Sequence, residues 1–203
     1  MNEFHQKSQW LIDAGKMLYA KGMVPATSGN FSARLSDGNL AITVSGAHKG
    51  KLSDADIMQV SSVGESLDDR RPSAETLLHV GIYQRYPSAQ VVLHPHSVNA
   101  TLLSRISGDK LRLQDYELLK AFPGIDTHRC ALWVPVLNND QNIARLSEKV
   151  NACLNDLETV HGYLIRGHGF YTWGDNLDDA LRHVEAFEFL FECELKQQMI
   201  GKH

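Results

Sequence analysis

Two histidines held two residues apart, His94 and His96, follow the short apolar run Val91-Val92-Leu93. In an extended chain residues i and i+2 point to the same side, so the two imidazoles can aim at one point. Pro95 between them fixes its own φ, removes a backbone donor and biases His94 toward an extended conformation. The pair is a stiffened candidate for metal ligation at the exit of a buried strand. Two unrelated histidines is the plainer alternative, and a motif this short needs a third ligand to stand. His168 offers one. It lies between Gly167 and Gly169 in a second apolar stretch, Tyr163 to Gly174. Those glycines let the backbone turn sharply and present the ring unhindered. Three imidazoles with a fourth position open to water or substrate form the donor set of a catalytic zinc site, whereas closed structural sites usually carry cysteines. Imidazoles also suit iron, cobalt or nickel, so the residues prefer zinc without fixing it. Of the other histidines, His79 falls inside a predicted helix as a core or surface residue. His48 lies in a loop where it can meet substrate, and His5 and His203 read as solvated ends.

Two further groups bear on chemistry. Ser45-Gly46-Ala47-His48-Lys49-Gly50-Lys51 follows a strand directly, and exposed backbone N–H groups with lysines beside them can cradle an anion. A flexible, solvated loop is the plainer reading of that segment alone, and the Gly-x4-Gly-Lys-Ser/Thr spacing of a nucleotide phosphate loop is absent. The acids of interest are Glu75 and Glu117. Glu75 is expected in the first turn of a helix, where the helix dipole favours a carboxylate for structural reasons alone. Glu117 sits beside leucines in a short helical piece, where facing solvent is its plainest role.

The elements that must position these groups are legible from periodicity. Helices are expected over about 5–21, from Ser73 (a candidate N-cap) to about 86, over 97–104, 116–120, 142–157 and 177–199. Strands are expected at 31–35, 40–45, 57–60, 91–93, 131–136 and in two pieces of 163–174. Ser36-Asp37-Gly38-Asn39 marks a hairpin turn. No repeat, linker or low-complexity tract divides the 203 residues, so a single mixed α and β domain over 1–203 is expected. The net charge of −4 gives no reason to expect a nucleic-acid or membrane partner. The N-terminus lacks the basic and apolar regions of a signal peptide, which points to the cytoplasm. Cys130, Cys153 and Cys193 are odd in number and far apart, so packing rather than disulfides or zinc ligation is expected of them.

Five motifs, in order, resemble the class II aldolase family: Thr27-Ser28-Gly29-Asn30-Phe31-Ser32, Val44-Ser45-Gly46, Pro72-Ser73-Ala74-Glu75, His94-Pro95-His96 and Arg166-Gly167-His168-Gly169. Within that family the stretches 45–52, 72–79, 116–121 and 185–191 are similar to members that dehydrate a ketose 1-phosphate. The resemblance implies a three-layer α/β/α sandwich around a mainly antiparallel sheet and a homotetramer with active sites near subunit interfaces. It implies that His94, His96 and His168 hold one zinc ion per subunit. It also implies that Asn30, Ser45, Gly46 and Ser73, helped by Lys49, hold the substrate phosphate. Dehydration would run through a metal-stabilised enediolate, with a carboxyl group acting first as base and then as acid. Glu117 matches the acid–base position of the dehydratases and Glu75 that of the aldolases; Glu117 is the preferred candidate, with Glu75 auxiliary. A sugar-phosphate aldolase or epimerase of the fuculose- or ribulose-phosphate type is the nearest alternative. A non-catalytic module like the adducin head is more remote, because it would have to do without a metal site.

Overall fold

A computed structural model describes residues 2–157 and 159–200; His203 lies outside the described residues. Among the described residues, eight strands form one sheet in the order β3-β2-β1-β4-β8-β7-β6-β5. They are β1 (Asn30–Arg34), β2 (Leu40–Thr43), β3 (Ile57–Val60), β4 (Val91–His94), β5 (Lys110–Gln114), β6 (Ala131–Leu137), β7 (Gly162–Ile165) and β8 (Gly169–Gly174). Every pairing is antiparallel except β6 with β7.

The described residues also form five α-helices that cover the sheet: α1 (Glu3–Ala20), α2 (Thr76–Arg85), α3 (Val98–Ile106), α4 (Ile143–Asn155) and α5 (Leu177–Ile200). Alternation along the central strands sorts them into layers, because successive side chains point to opposite faces. Phe31, Ala33, Val91, Leu93, Leu164 and Phe170 pack with Leu11 and Leu18 of α1, Leu103 of α3 and Phe187 of α5. Ile42, Val92, Tyr163, Ile165 and Tyr171 pack on the other side with Leu78 and Ile82 of α2 and Leu146 and Val150 of α4. The result is the three-layer sandwich around a mainly antiparallel sheet that the resemblance implied. No described helix is long and apolar enough to cross a membrane.

Two expectations need correction. The span between 105 and 115 had no assigned element, yet it holds β5, where Leu111 and Leu113 are buried and Lys110, Arg112 and Gln114 are exposed. The helix expected from Ser73 begins at Thr76, with Glu75 at its N-cap and no side-chain cap bond. Ser73 is engaged in the turn before it: its hydroxyl accepts from the Glu75 amide (3.3 Å) and its carbonyl accepts from the Thr76 hydroxyl (2.7 Å). Glu75 is therefore outside the first helical turn, and its carboxylate is free to serve another partner.

Candidate metal centre and anion pocket

β4 delivers His94 at the middle of the sheet, where it pairs with Asn30 of β1. His94 is fully buried. Its Nδ1 lies 2.8 Å from the Phe170 carbonyl on β8. A carbonyl only accepts, so Nδ1 carries the hydrogen and the Nε2 lone pair faces away from it, the arrangement that orients a metal-binding imidazole. The ring lies flat on Tyr171, with centroids 3.9 Å apart, and Tyr163 stacks behind Tyr171 at 4.9 Å. Two residues on, the His96 amide donates to the Met23 carbonyl (2.7 Å), which fixes the chain just past Pro95.

His168 comes from the turn between β7 and β8. Gly167 there has φ of +67°, a left-handed conformation that glycine adopts without strain. Gly169 serves a different need: a Cβ on it would lie 2.3 Å from the Pro95 carbonyl oxygen and 3.1 Å from carbons of the His94 and His96 rings. The turn can approach His94-Pro95-His96 this closely only without a side chain. Arg166 ties the same turn to the end of α3, donating to the carbonyls of Ser104 (2.7 Å), Ser107 (2.8 Å) and Gly108 (3.1 Å). Thr101 adds a hydrogen bond to the His168 carbonyl (2.9 Å).

These elements bring His94, His96, His168 and Glu75 together, with one donor atom from each within 4.8 Å of all the others. His96 Nε2 is 2.8 Å from His94 Nε2. Glu75 Oε2 is 3.3 Å from His94 Nε2, and its Oε1 is 3.4 Å from His168 Nε2. Burial, reinforced by His94 and His168 alongside, pushes the His96 imidazole down to about 2. Burial also lowers His168, with His94 adding to the effect. Neutral imidazoles are what ligation requires. Burial would raise the Glu75 carboxyl, and the Asn30 amide, donating to its Oε2 (2.6 Å), works against that and favours the carboxylate. Three inward nitrogens and one carboxylate fit a divalent ion that takes nitrogen and oxygen donors.

The centre opens onto a cavity of about 370 Å³ lined by Asn30, Ser45, Gly46, Lys49 and Ser73 together with Glu75, His96 and His168. The residues singled out as a phosphate cradle thus face one space with two of the three singled out as metal ligands, His96 and His168. Lys49 is buried rather than flexible. Its ammonium donates to the carbonyls of Thr27 (3.1 Å) and Ala47 (2.5 Å) and so clamps the two small-residue loops together. Burial pushes it down to about 8. Ser45, Gly46 and Lys51 of the loop are exposed, as the segment alone suggested, and Lys49 is the buried exception that anchors it. His48 packs edge-on against Tyr19 with centroids 4.7 Å apart and is not among the cavity's lining residues.

Glu117 is not brought to the histidines within this chain. It opens a short 3₁₀ turn, Glu117–Ala121, and is 72% exposed, bonded to Lys120 (2.6 Å) with His128 at 3.5 Å. It borders an apolar cleft with Tyr116, Leu118 and Phe189. Conversely, Asn139, Gln141 and Ile143 line the histidine cavity, though no local signal singled them out. Asn139 and Gln141 lie between β6 and α4 and Ile143 opens α4, at the end of a strand that pairs in parallel with β7.

A comparison with protein families matches the one described as Class II Aldolase and Adducin N-terminal domain over residues 9–195. The chain is 59% identical over 200 residues to a methylthioribulose-1-phosphate dehydratase of Methylococcus capsulatus, covering 98% of each protein. It is 56% identical over 193 residues to one of Pseudomonas paraeruginosa, covering 94% of each. Its fold is similar to the crystal structure of L-fuculose-1-phosphate aldolase from Thermus thermophilus, with a TM-score of 0.75, 24% identity and coverage of 98% and 97%. The family match spans the sheet, the histidine turns and most of α5, and the chain belongs to the class II aldolase family.

Proposed function

We propose that this chain is a methylthioribulose-1-phosphate dehydratase of methionine salvage, a single class II aldolase-like domain over 1–203 acting in the cytoplasm as a homotetramer. It would convert 5-methylthioribulose 1-phosphate to 2,3-diketo-5-methylthiopentyl 1-phosphate and water. The observation that carries a lyase reading is the convergence of His94, His96, His168 and Glu75 at one end of the anion-suited cavity. Identity of 59% along the whole chain to a dehydratase supports water, rather than a carbon fragment, as the leaving group.

Zinc is the metal we assign to the three histidines, one ion per subunit. When bound, it supplies a Lewis acid that polarises the C2 ketone and steadies the charge left when the C3 proton departs. The chain's own residues do the rest. Asn30, Ser45, Gly46 and Ser73 hold the phosphate at one end, with Lys49 supplying charge, and so fix the C2–C4 segment against the centre. A base takes the C3 proton. The same group, now an acid, protonates the C4 hydroxyl as it leaves, and the resulting enol becomes the diketone. Glu75 accepts from Asn30 and faces His94 and His168, so we keep it as an auxiliary group at the centre. Glu117 is our acid–base residue, delivered to the centre by a neighbouring subunit. Its apolar border of Leu118 and Phe189 suits such a contact, and burial there would raise its carboxyl toward the useful range.

Product identity is the test. Methylthioribulose 1-phosphate is supplied, and diketone and dihydroxyacetone phosphate are assayed separately. Diketone alone supports the proposal; the triose phosphate would favour the aldolase reading. Glu117→Gln should lose nearly all turnover, and near wild-type turnover in that variant removes Glu117 from the mechanism.

A further inference from the structure

A line of buried polar side chains leads away from the metal centre between β1 and α2, and beyond Asn30 the reaction does not use it. Glu75 Oε2 accepts from Asn30 Nδ2 (2.6 Å). Asn30 Oδ1 meets His79 Nε2, His79 Nδ1 lies 2.7 Å from the Ser32 hydroxyl, and Ser32 lies 2.9 Å from the Tyr83 hydroxyl. His79 and Ser32 are fully buried, and Asn30 and Tyr83 nearly so. Ser32 reaches α2 because alternation along β1 turns it away from Phe31 and Ala33, which pack on the other face.

The directions of these bonds follow from one end. A carboxylate only accepts, so the Asn30 nitrogen must face Glu75 and its oxygen must face His79. That oxygen only accepts, so His79 carries its hydrogen on Nε2. His79 Nδ1 is then an acceptor in the neutral ring and takes the Ser32 hydroxyl hydrogen. Ser32 in turn accepts from Tyr83. Every donor points toward the metal centre, and bonds aligned in this way reinforce one another in a low-dielectric interior. Without a donor at His79, the Asn30 amide loses the contact that decides which way it faces, and a flipped amide would set oxygen against oxygen at Glu75. The aligned amide also leaves Asn30 a second N–H for the cavity it lines.

We propose that His79 is a positioning residue: held as the neutral Nε2–H tautomer by Ser32, it locks the Asn30 amide so that Glu75 is presented to the histidine centre as a fixed carboxylate. The inference rests on Glu75 serving that centre, as argued above. It makes Asn30 a joint between the centre and the phosphate cradle rather than a phosphate ligand alone.

The test is a double-variant cycle read by kcat and by metal affinity from chelator competition. His79→Leu should lower both about tenfold or more, the loss typical when a partner behind a ligating group is removed. His79→Gln, which can accept from Ser32 and donate to Asn30, should stay within about threefold of wild type on the same reasoning. In a Glu75→Gln background, His79→Leu should add less than about twofold, because residues acting through one another are not additive. Additive losses, or no loss in His79→Leu, overturn the relay. If Glu75→Gln alone leaves kcat and metal affinity unchanged, the role given to Glu75 fails instead and the relay fails with it. The imidazole ¹⁵N spectrum of the unmodified protein needs no variant: the Nε2–H tautomer is expected for His79, and the Nδ1–H tautomer or an imidazolium overturns the proposal.

Discussion

Raising the pH should weaken phosphate binding before it harms the fold, and the cause should be Lys49. Lys49 is one of the residues lining the anion cavity, and burial lowers its ammonium from 10.5 to about 8. The protonated fraction is then about nine tenths at pH 7 and about one tenth at pH 9. If the charge holds the phosphate, KM should rise about tenfold between those values while kcat changes little. A neutral amine keeps two hydrogens, enough for both the Thr27 and Ala47 carbonyls, so the clamp itself survives. Stability should move the opposite way. A lysine depressed in the folded state binds fewer protons than in the unfolded state between about 8 and 10.5, so unfolding free energy rises with pH across that window. The rise is about 1–2 kcal/mol once the shift is discounted for partial solvent contact. The assay is KM for substrate, and inhibition by inorganic phosphate, from pH 7 to 9.5, with urea unfolding at the same pH values. Lys49→Met should give a high, pH-independent KM. A wild-type KM that stays flat to pH 9.5, or that rises only as the protein unfolds, refutes the reasoning.

Gly169→Ala places a methyl group against the Pro95 carbonyl and two histidine rings, so a loss of about 1–3 kcal/mol in thermal unfolding is expected. Metal affinity should fall by at least about tenfold in the same variant, as for other disturbances behind a ligand, and wild-type chelator titration would contradict this. Arg166→Ala strips donors from three carbonyls at the end of α3; about 2–4 kcal/mol of stability should be lost in urea titration, and less than about 0.5 kcal/mol would show that the tie is slack. Saturating zinc should stabilise the wild-type protein by about 2.7 kcal/mol at a hundredfold excess over Kd, a shift that His96→Ala should abolish in calorimetry.

Local pattern carried much of the fold. The hairpin at residues 36–39, the alternation of Leu40 and Ile42, and the apolar run into His94 are all signals within a few residues, and the strands and helices stand where they point. Strand β5 carries the same signal, a short alternation of lysine, leucine and arginine, but without a turn motif beside it to mark its ends. What the sequence could not state is distance. His94 and His96 lie two residues apart, but their approach to His168 depends on β4 pairing with β8 and on a backbone contact at Gly169. Glu75 looked like a helix-start acid until the turn at Ser73 took up the capping contacts and released it. His79 looked like an ordinary core or surface histidine, because Asn30 and Ser32, which give it work, are more than 45 residues away in sequence. Glu117 matches by motif alone, and a motif carries no information about how far from the histidines the fold places it.

The most direct test strips the protein with chelator, titrates zinc back, and measures bound metal per chain and diketone formed in the same samples. Metal and turnover should rise together and saturate at about one zinc per chain, the stoichiometry of a catalytic site with three protein ligands, and His96→Ala should show neither. Full turnover in stripped protein, or one zinc per chain bound without any diketone, would contradict the account.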